Sequence, residues 1–233
     1  MRQDFSVKSA FSRQHYIRFG KLILICAAAT AANYLLSTFA LHFMDFPLFL
    51  DTLFTVAVTF AAGLIPGIVV AVLTWITAGV LNAYFNPFVP VILAEVLLVH
   101  WLKPAPPQTF NFGPHESALR TNMKIANKIN TAARLALLYL ACAIVVSVLG
   151  GLICFLFYTV GGREAGQFFP TIDTLRMGFL RDGAHLLTAN ILSRLLVNMT
   201  DRLFVIFGGY LVALGIKRIL QGKFQIDPFR GSQ

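Results

Sequence analysis

Residues 22–102 contain neither lysine nor arginine, and their only carboxylates are Asp45, Asp51 and Glu95. Over the whole chain 57% of residues are hydrophobic and 12% are charged, whereas soluble domains carry about 25% charged residues. A stretch this poor in charge lacks the polar surface that water requires. It suits a lipid bilayer, in which each helical crossing takes about 20 predominantly apolar residues. The sequence therefore predicts an all-α integral membrane protein, with room for four crossings in residues 22–102.

Turn signals and polar segments divide the apolar sequence into a predicted bundle of six transmembrane helices. Pro66-Gly67 is predicted to end the second crossing, and Asn86-Pro87 the third. Polar segments follow the fourth and fifth crossings, and apolar residues recur at helical spacing from Leu180 to Leu195, which predicts a short amphipathic helix there. The predicted crossings are residues 21–44, 48–65, 68–85, 88–102, 132–160 and 199–220.

The basic residues predict the orientation of the bundle, because lysine and arginine favour the cytoplasmic side of a membrane. They concentrate in the N-terminal arm, in the region after the fourth crossing and in the C-terminal tail, so both termini are predicted to be cytoplasmic in a multi-pass protein of the cell membrane. The net charge of +9 thus indicates membrane orientation and not nucleic-acid binding. The predicted organisation is a cytoplasmic amphipathic basic arm (1–20), a six-helix membrane domain (21–220) with a cytoplasmic segment (103–130) and an extracellular segment (161–196), and a cytoplasmic tail (221–233).

Enzyme signatures are missing from the sequence. It has no Gly-x-Ser-x-Gly, no His-Glu-x-x-His and no phosphate-binding P-loop. Cys26, Cys142 and Cys154 lie in apolar stretches without metal-ligand spacing, which favours a role in helix packing. We therefore expect no catalytic residues, no bound metal and no cofactor. Without a nucleotide site, the chain would depend on another subunit to drive transport.

Polar side chains within the apolar stretches are the candidates for a ligand site, because such residues are costly in lipid and tend to be functional. Simpler structural explanations also apply, such as a helix-start carboxylate, a buried hydrogen-bonded acid and, for Asp201 and Arg202, a paired charge at a helix end. Their convergence predicts an externally open pocket between the first, third, fourth and sixth crossings, with segments 45–52 and 161–196 as lids. The acidic members favour a cationic or hydrogen-bond-rich small molecule. The predicted ligand-binding residues are Asp51, Asn82, Tyr84, Asn86, Glu95, Tyr158 and Asp201.

Small residues mark one face of the first predicted helix. Ala27 and Ala31 form one small-x-x-x-small pair, and Ala28 and Ala32 form another. Such pairs let helices approach closely in lipid. They are explained either by packing within the chain or by a docking face for a second membrane subunit.

Three short motifs resemble a known group of membrane proteins: PLFLDTLFT at 47–55, GLIPG at 63–67 and DRLF at 201–204. Together with the layout over about residues 20–220, they are similar to the substrate-binding S components of energy-coupling-factor (ECF) vitamin transporters and to related membrane sensor domains. The resemblance implies six helices, a ligand bound from outside beneath loops, and an alanine face on the first helix that meets a transmembrane coupling subunit. ATP hydrolysis would belong to separate ATPase subunits.

Three functions remain open from the sequence. The first is a binding subunit for uptake of a vitamin or similar micronutrient. The second is a ligand-sensing membrane module without transport activity, in which the basic segment 103–130 and the N-terminal arm engage a signalling partner. The third is a membrane enzyme with an unfamiliar site.

Overall fold

The computed structural model describes residues 3–43, 48–82, 86–105, 117–161 and 170–221, and these residues form helices joined by short connections. The described part contains no β-strand, which confirms the all-α prediction. The seven helices are α1 (Gln3–Phe43), α2 (Leu53–Ala62), α3 (Leu64–Asn82), α4 (Val89–Leu102), α5 (Ser117–Val160), α6 (Pro170–Arg181) and α7 (Leu186–Leu220).

Four of these helices contain a stretch that is long and apolar enough to cross a membrane: Ile17–Ala40, Leu64–Leu81, Thr121–Val160 and Leu186–Leu220. They indicate a membrane-embedded protein. The apolar helices α2 and α4 have 10 and 14 residues, or about 15 and 21 Å at 1.5 Å per residue. Each is shorter than the roughly 30 Å hydrocarbon core. Six complete crossings therefore remain a prediction.

Helix boundaries differ from those expected in the N-terminal arm and around residues 180–195. The basic arm is helical from Gln3 and continues into α1 without a break. The predicted short helix over 180–195 is wrong, because α6 ends at Arg181 and α7 begins at Leu186. Gly183 takes a φ of +88° in the turn between them, a conformation that glycine adopts without steric cost. The apolar residues at this spacing are therefore divided between two helices and the turn that joins them.

The turn between the second and third helices is at Gly63, so the predicted turn at Pro66-Gly67 is also wrong. Gly63 has a φ of +99°, and its N–H donates to the carbonyl of Thr59 at 3.1 Å. Pro66 instead lies in the first turn of α3, where a helix has no hydrogen-bond partner for the backbone N–H that proline lacks.

The helix α7 is the centre of the bundle and packs against α2 and α5. Gly209 permits the close approach of α2, because a Cβ atom there would lie 2.9 Å from Cγ1 of Val56 and 3.1 Å from the carbonyl oxygen of Leu53. Gly215, on the same helix, faces open space. The contact between α2 and α7 therefore requires a residue without a side chain at position 209.

A buried amide joins the first three helices. Asn33 of α1 donates through Nδ2 to the hydroxyl of Thr55 at 2.9 Å and to that of Thr74 at 3.2 Å. Its Oδ1 accepts from the backbone N–H of Phe54 at 2.9 Å. Because both ends of the amide are bonded, Asn33 stabilises the relative positions of α1, α2 and α3.

Candidate ligand pocket

A stripe of buried polar side chains runs along α7. Asn190, Arg194, Asn198 and Arg202 follow one another at four-residue intervals, and all four are buried. Residues four apart lie on the same face of a helix, so these side chains point into the bundle together. Asn198 donates through Nδ2 to the hydroxyl of Ser147 in α5 at 3.0 Å. The stripe brings two arginines and two amides to the interior of the bundle.

Arg202 is the centre of an ionic cluster at the C-terminal end of this stripe. Its Nη1 donates to the hydroxyl of Thr52 at 2.8 Å and to a carboxylate oxygen of Glu95. Its Nη2 lies 2.8 Å from a carboxylate oxygen of Asp201 and 3.9 Å from one of Asp51. Charges removed from water are tolerated when they are paired in this way. The cluster therefore ties α4 and α7 to the segment that precedes α2.

Asp201 also stabilises the segment before α2. Its Oδ1 accepts hydrogen bonds from the backbone N–H groups of Phe49 and Leu50, at 2.9 and 3.0 Å. Leu50 has a φ of +48°, in the left-handed region that costs a residue with a side chain about 1–2 kcal/mol. The carboxylate thus stabilises a strained turn, which in turn positions Asp51 and Thr52 beside Arg202.

A pocket of about 500 Å³, open mouth included, lies beside the cluster. Its walls come from α4, α5, α7 and the segments before α2 and α4. Arg194 forms part of one wall, where its guanidinium lies 4.6 Å from the centre of the Phe88 ring and donates to Sγ of Cys154 at 2.9 Å. The lining residues are Phe49, Asp51, Thr52, Asn86, Phe88, Val91, Ile92, Glu95, Val146, Arg194, Asn198 and Arg202.

The structure brings some of the predicted ligand-binding residues together and separates others. Asp51, Asn86 and Glu95 line the pocket, and Asp201 lies next to it in contact with Arg202. Tyr158 does not belong to this lining, and its ring instead lies 5.0 Å from the guanidinium of Arg176 in α6. The side chain of Asn82 and all of Tyr84 lie outside the described residues, as do residues 162–169 of the predicted 161–196 lid. The rest of that segment forms α6, the turn after it and the first part of α7.

The pocket also differs from the prediction in its walls and in its arginines. We expected the first, third, fourth and sixth crossings to line it, with segment 45–52 as a lid. Among the described residues the lining comes from α4, α5, α7 and the segments before α2 and α4, so the first and third crossings do not contribute and α5 does. Arg194 and Asn198 were not predicted to take part, and Arg202 was expected only as a paired end charge. A sequence signal for all three exists, because positions 190, 194, 198 and 202 hold Asn, Arg, Asn and Arg. A polar residue at every fourth position of a helix predicts a polar face.

The alanine pairs of α1 lie on the side of the helix that faces away from the bundle. Ala27, Ala28 and Ala31 are exposed and Ala32 is half-buried. Packing within the chain uses the neighbouring positions Cys26, Ala29 and Asn33, which are buried. The small residues of this face are therefore not needed for packing among the described helices.

Comparisons with known proteins add no identification, since no family model, no curated protein and no solved structure matches this chain.

Proposed function

We propose that this protein is a membrane-embedded binding subunit for uptake of a vitamin or similar small micronutrient, powered by separate coupling and ATPase subunits. The observation that carries the proposal is the pocket beside Arg202. It combines apolar walls with a few fixed polar groups, the composition of sites that bind small molecules. Ionisable residues inside a membrane bundle are expensive, and here they converge on one open pocket.

The outward alanine face supports the participation of a second membrane subunit. Ala27, Ala28 and Ala31 present small side chains to the surroundings of α1, and such surfaces let another helix approach closely. The motif resemblance to ECF S components agrees with this arrangement, in which the ligand-binding chain docks through its first helix.

The proposal is tested by asking what the purified protein carries. The chain, extracted in mild detergent, is analysed by native mass spectrometry for a co-purifying small molecule, and by co-expression with ECF coupling modules for a stable complex. A bound micronutrient together with a complex would support the proposal. A chain that carries no ligand and joins no module would contradict it.

The alanine face is tested separately from the pocket by Ala28→Leu. The bulkier side chain should block assembly with the coupling subunit and leave ligand binding unaffected, because Ala28 does not line the pocket. Ala133→Leu, at an exposed position of α5, is the control and should affect neither. Equal loss of assembly in both variants would show that the alanine face is not the docking surface.

A ligand-sensing module without transport activity is the second candidate. It is favoured by the N-terminal part of α5, where Lys124, Ile125, Lys128 and Ile129 are all exposed on a helix that continues into the apolar bundle. Such a helix offers a direct connection between the pocket and a partner protein. Tight ligand binding, together with co-purification of a signalling partner and of no ATPase, would favour this function.

A further inference from the structure

The ionic cluster beside the pocket carries more negative than positive charge. Three carboxylates, from Asp51, Glu95 and Asp201, surround the single guanidinium of Arg202. The other arginine of the pocket, Arg194, is eight residues away on α7, or about 12 Å along the helix axis. Excess charge of one sign is costly where water is excluded. The cluster is therefore more favourable when a positive charge joins it.

Asp51 is the member of the cluster that is open to such a charge. Glu95 and Asp201 are buried, with 1% and 0% of their surface exposed, whereas the side chain of Asp51 is 37% exposed. Its carboxylate oxygen lies 3.9 Å from Nη2 of Arg202, which is within ion-pair range but beyond hydrogen-bond distance. Arg202 thus leaves the hydrogen-bonding capacity of Asp51 available on the side of the pocket.

A second, independent feature of the pocket also points to a ligand. Arg202 is 4% exposed, and its Nε–H has no hydrogen-bond acceptor among the described residues. A buried donor without an acceptor costs about 1–3 kcal/mol, more for a charged group. Because Arg202 lines the pocket, an acceptor atom on a bound molecule would remove that cost.

We propose that the ligand of this pocket is a small organic cation with a hydrogen-bond acceptor, held by an ion pair with Asp51 and by a hydrogen bond from Arg202. The inference rests on the proposed binding function and names its ligand class. The aromatic rings of Phe49 and Phe88 also line the pocket, and aromatic faces attract organic ammonium groups. The carboxylate selects the charge, the rings select an organic body over a hydrated metal ion, and Arg202 selects the acceptor.

The experiment compares probes that have nearly the same shape but different charge. Choline is the cation, 3,3-dimethylbutan-1-ol is its neutral isostere with the same hydroxyl, and 3,3-dimethylbutanoate is the anion. Each is added to the full chain in nanodiscs, and the shift of the thermal unfolding midpoint is measured against sodium chloride at equal ionic strength. Choline should raise the midpoint more than the neutral isostere, the anion or sodium chloride.

Matched variants connect this preference to the pocket. Asp51→Asn should weaken choline binding by at least about tenfold, which corresponds to about 1.4 kcal/mol, and should remove the difference between choline and its neutral isostere. Asp51→Glu keeps the charge and should retain the preference, so that a loss caused only by misfolding is recognised. Asp182→Asn makes the same change in the exposed turn after α6 and should leave binding unchanged.

The outcomes separate this inference from the proposed function. A larger shift with the anion or an equal shift with the neutral isostere would overturn the cationic ligand, as would a preference for choline that survives Asp51→Asn. In each of these cases a bound micronutrient recovered by native mass spectrometry would leave the binding function standing. If no probe shifts the midpoint beyond sodium chloride and nothing co-purifies, both proposals fall.

Discussion

Replacing Arg202 by methionine tests whether the ionic cluster holds the bundle together. Methionine fills a similar volume but removes the charge shared by Glu95, Asp201 and Asp51. The change deletes two charge-assisted hydrogen bonds, worth about 1.5–3 kcal/mol each, and leaves two fully buried carboxylates without their cation. Breaking a buried ion pair by removing one partner typically costs 3–5 kcal/mol. We therefore expect Arg202→Met to lower the free energy of unfolding by about 3–5 kcal/mol.

The measurement is reversible unfolding of the purified protein in mixed micelles, with sodium dodecyl sulfate as the denaturant and helix content followed by circular dichroism. The double variant Glu95→Gln/Arg202→Met provides an internal check, because it removes one of the stranded carboxylates. It should be more stable than Arg202→Met alone. Asp182→Asn, at an exposed position, should leave the transition unchanged.

The reasoning would be refuted by a small or additive effect. A loss below about 1 kcal/mol for Arg202→Met would mean that the carboxylates do not depend on Arg202, because surface ion pairs contribute that little. A double variant with the summed cost of its two single changes would show that Glu95 and Arg202 act independently.

Two further changes test the packing. Gly209→Ala should destabilise the protein by about 1–3 kcal/mol, since the new methyl group overlaps the neighbouring helix. Gly215→Ala should be neutral or stabilising, because alanine is the better helix former. Equal unfolding transitions for the two variants would contradict the close contact of α2 and α7. Asn33→Ala should lower the free energy of unfolding by about 1–3 kcal/mol, because it leaves buried polar groups unpaired. A free energy of unfolding within about 0.5 kcal/mol of the unsubstituted protein would show that the hydrogen bonds of Asn33 do not hold the first three helices together.

The helical class and the membrane setting followed from the sequence because they depend on charge density over long stretches. Boundaries were harder. Pro66-Gly67 carries a turn signal that the start of a helix tolerates equally well, so the break at Gly63 could be recognised only from its backbone conformation. The spacing from Leu180 to Leu195 predicted one helix, but Asp182-Gly183 interrupts it and was a recognisable helix breaker.

For the pocket, the sequence indicated which side chains were candidates, but it did not indicate which of them contact one another. Glu95 and Asp51 were candidates because acids in apolar sequence are rare. Nothing in the sequence connected Glu95 to Arg202, which is more than a hundred positions away, because such a contact depends on how α4 packs against α7. The polar periodicity of α7 was visible, however, and would have added Arg194 and Asn198 to the site.

The polar stripe of α7 also constrains how this protein is made. An arginine or aspartate in the middle of a helix adds about 2.5–3.5 kcal/mol to the free energy of insertion from the translocon. Since α2, α4 and α5 precede α7 in the chain, they are synthesised before Asp201 and Arg202. The partners of Arg202 on the earlier elements, Glu95 and Thr52, are thus available when α7 inserts, and we expect Glu95→Gln to lower the efficiency of that insertion.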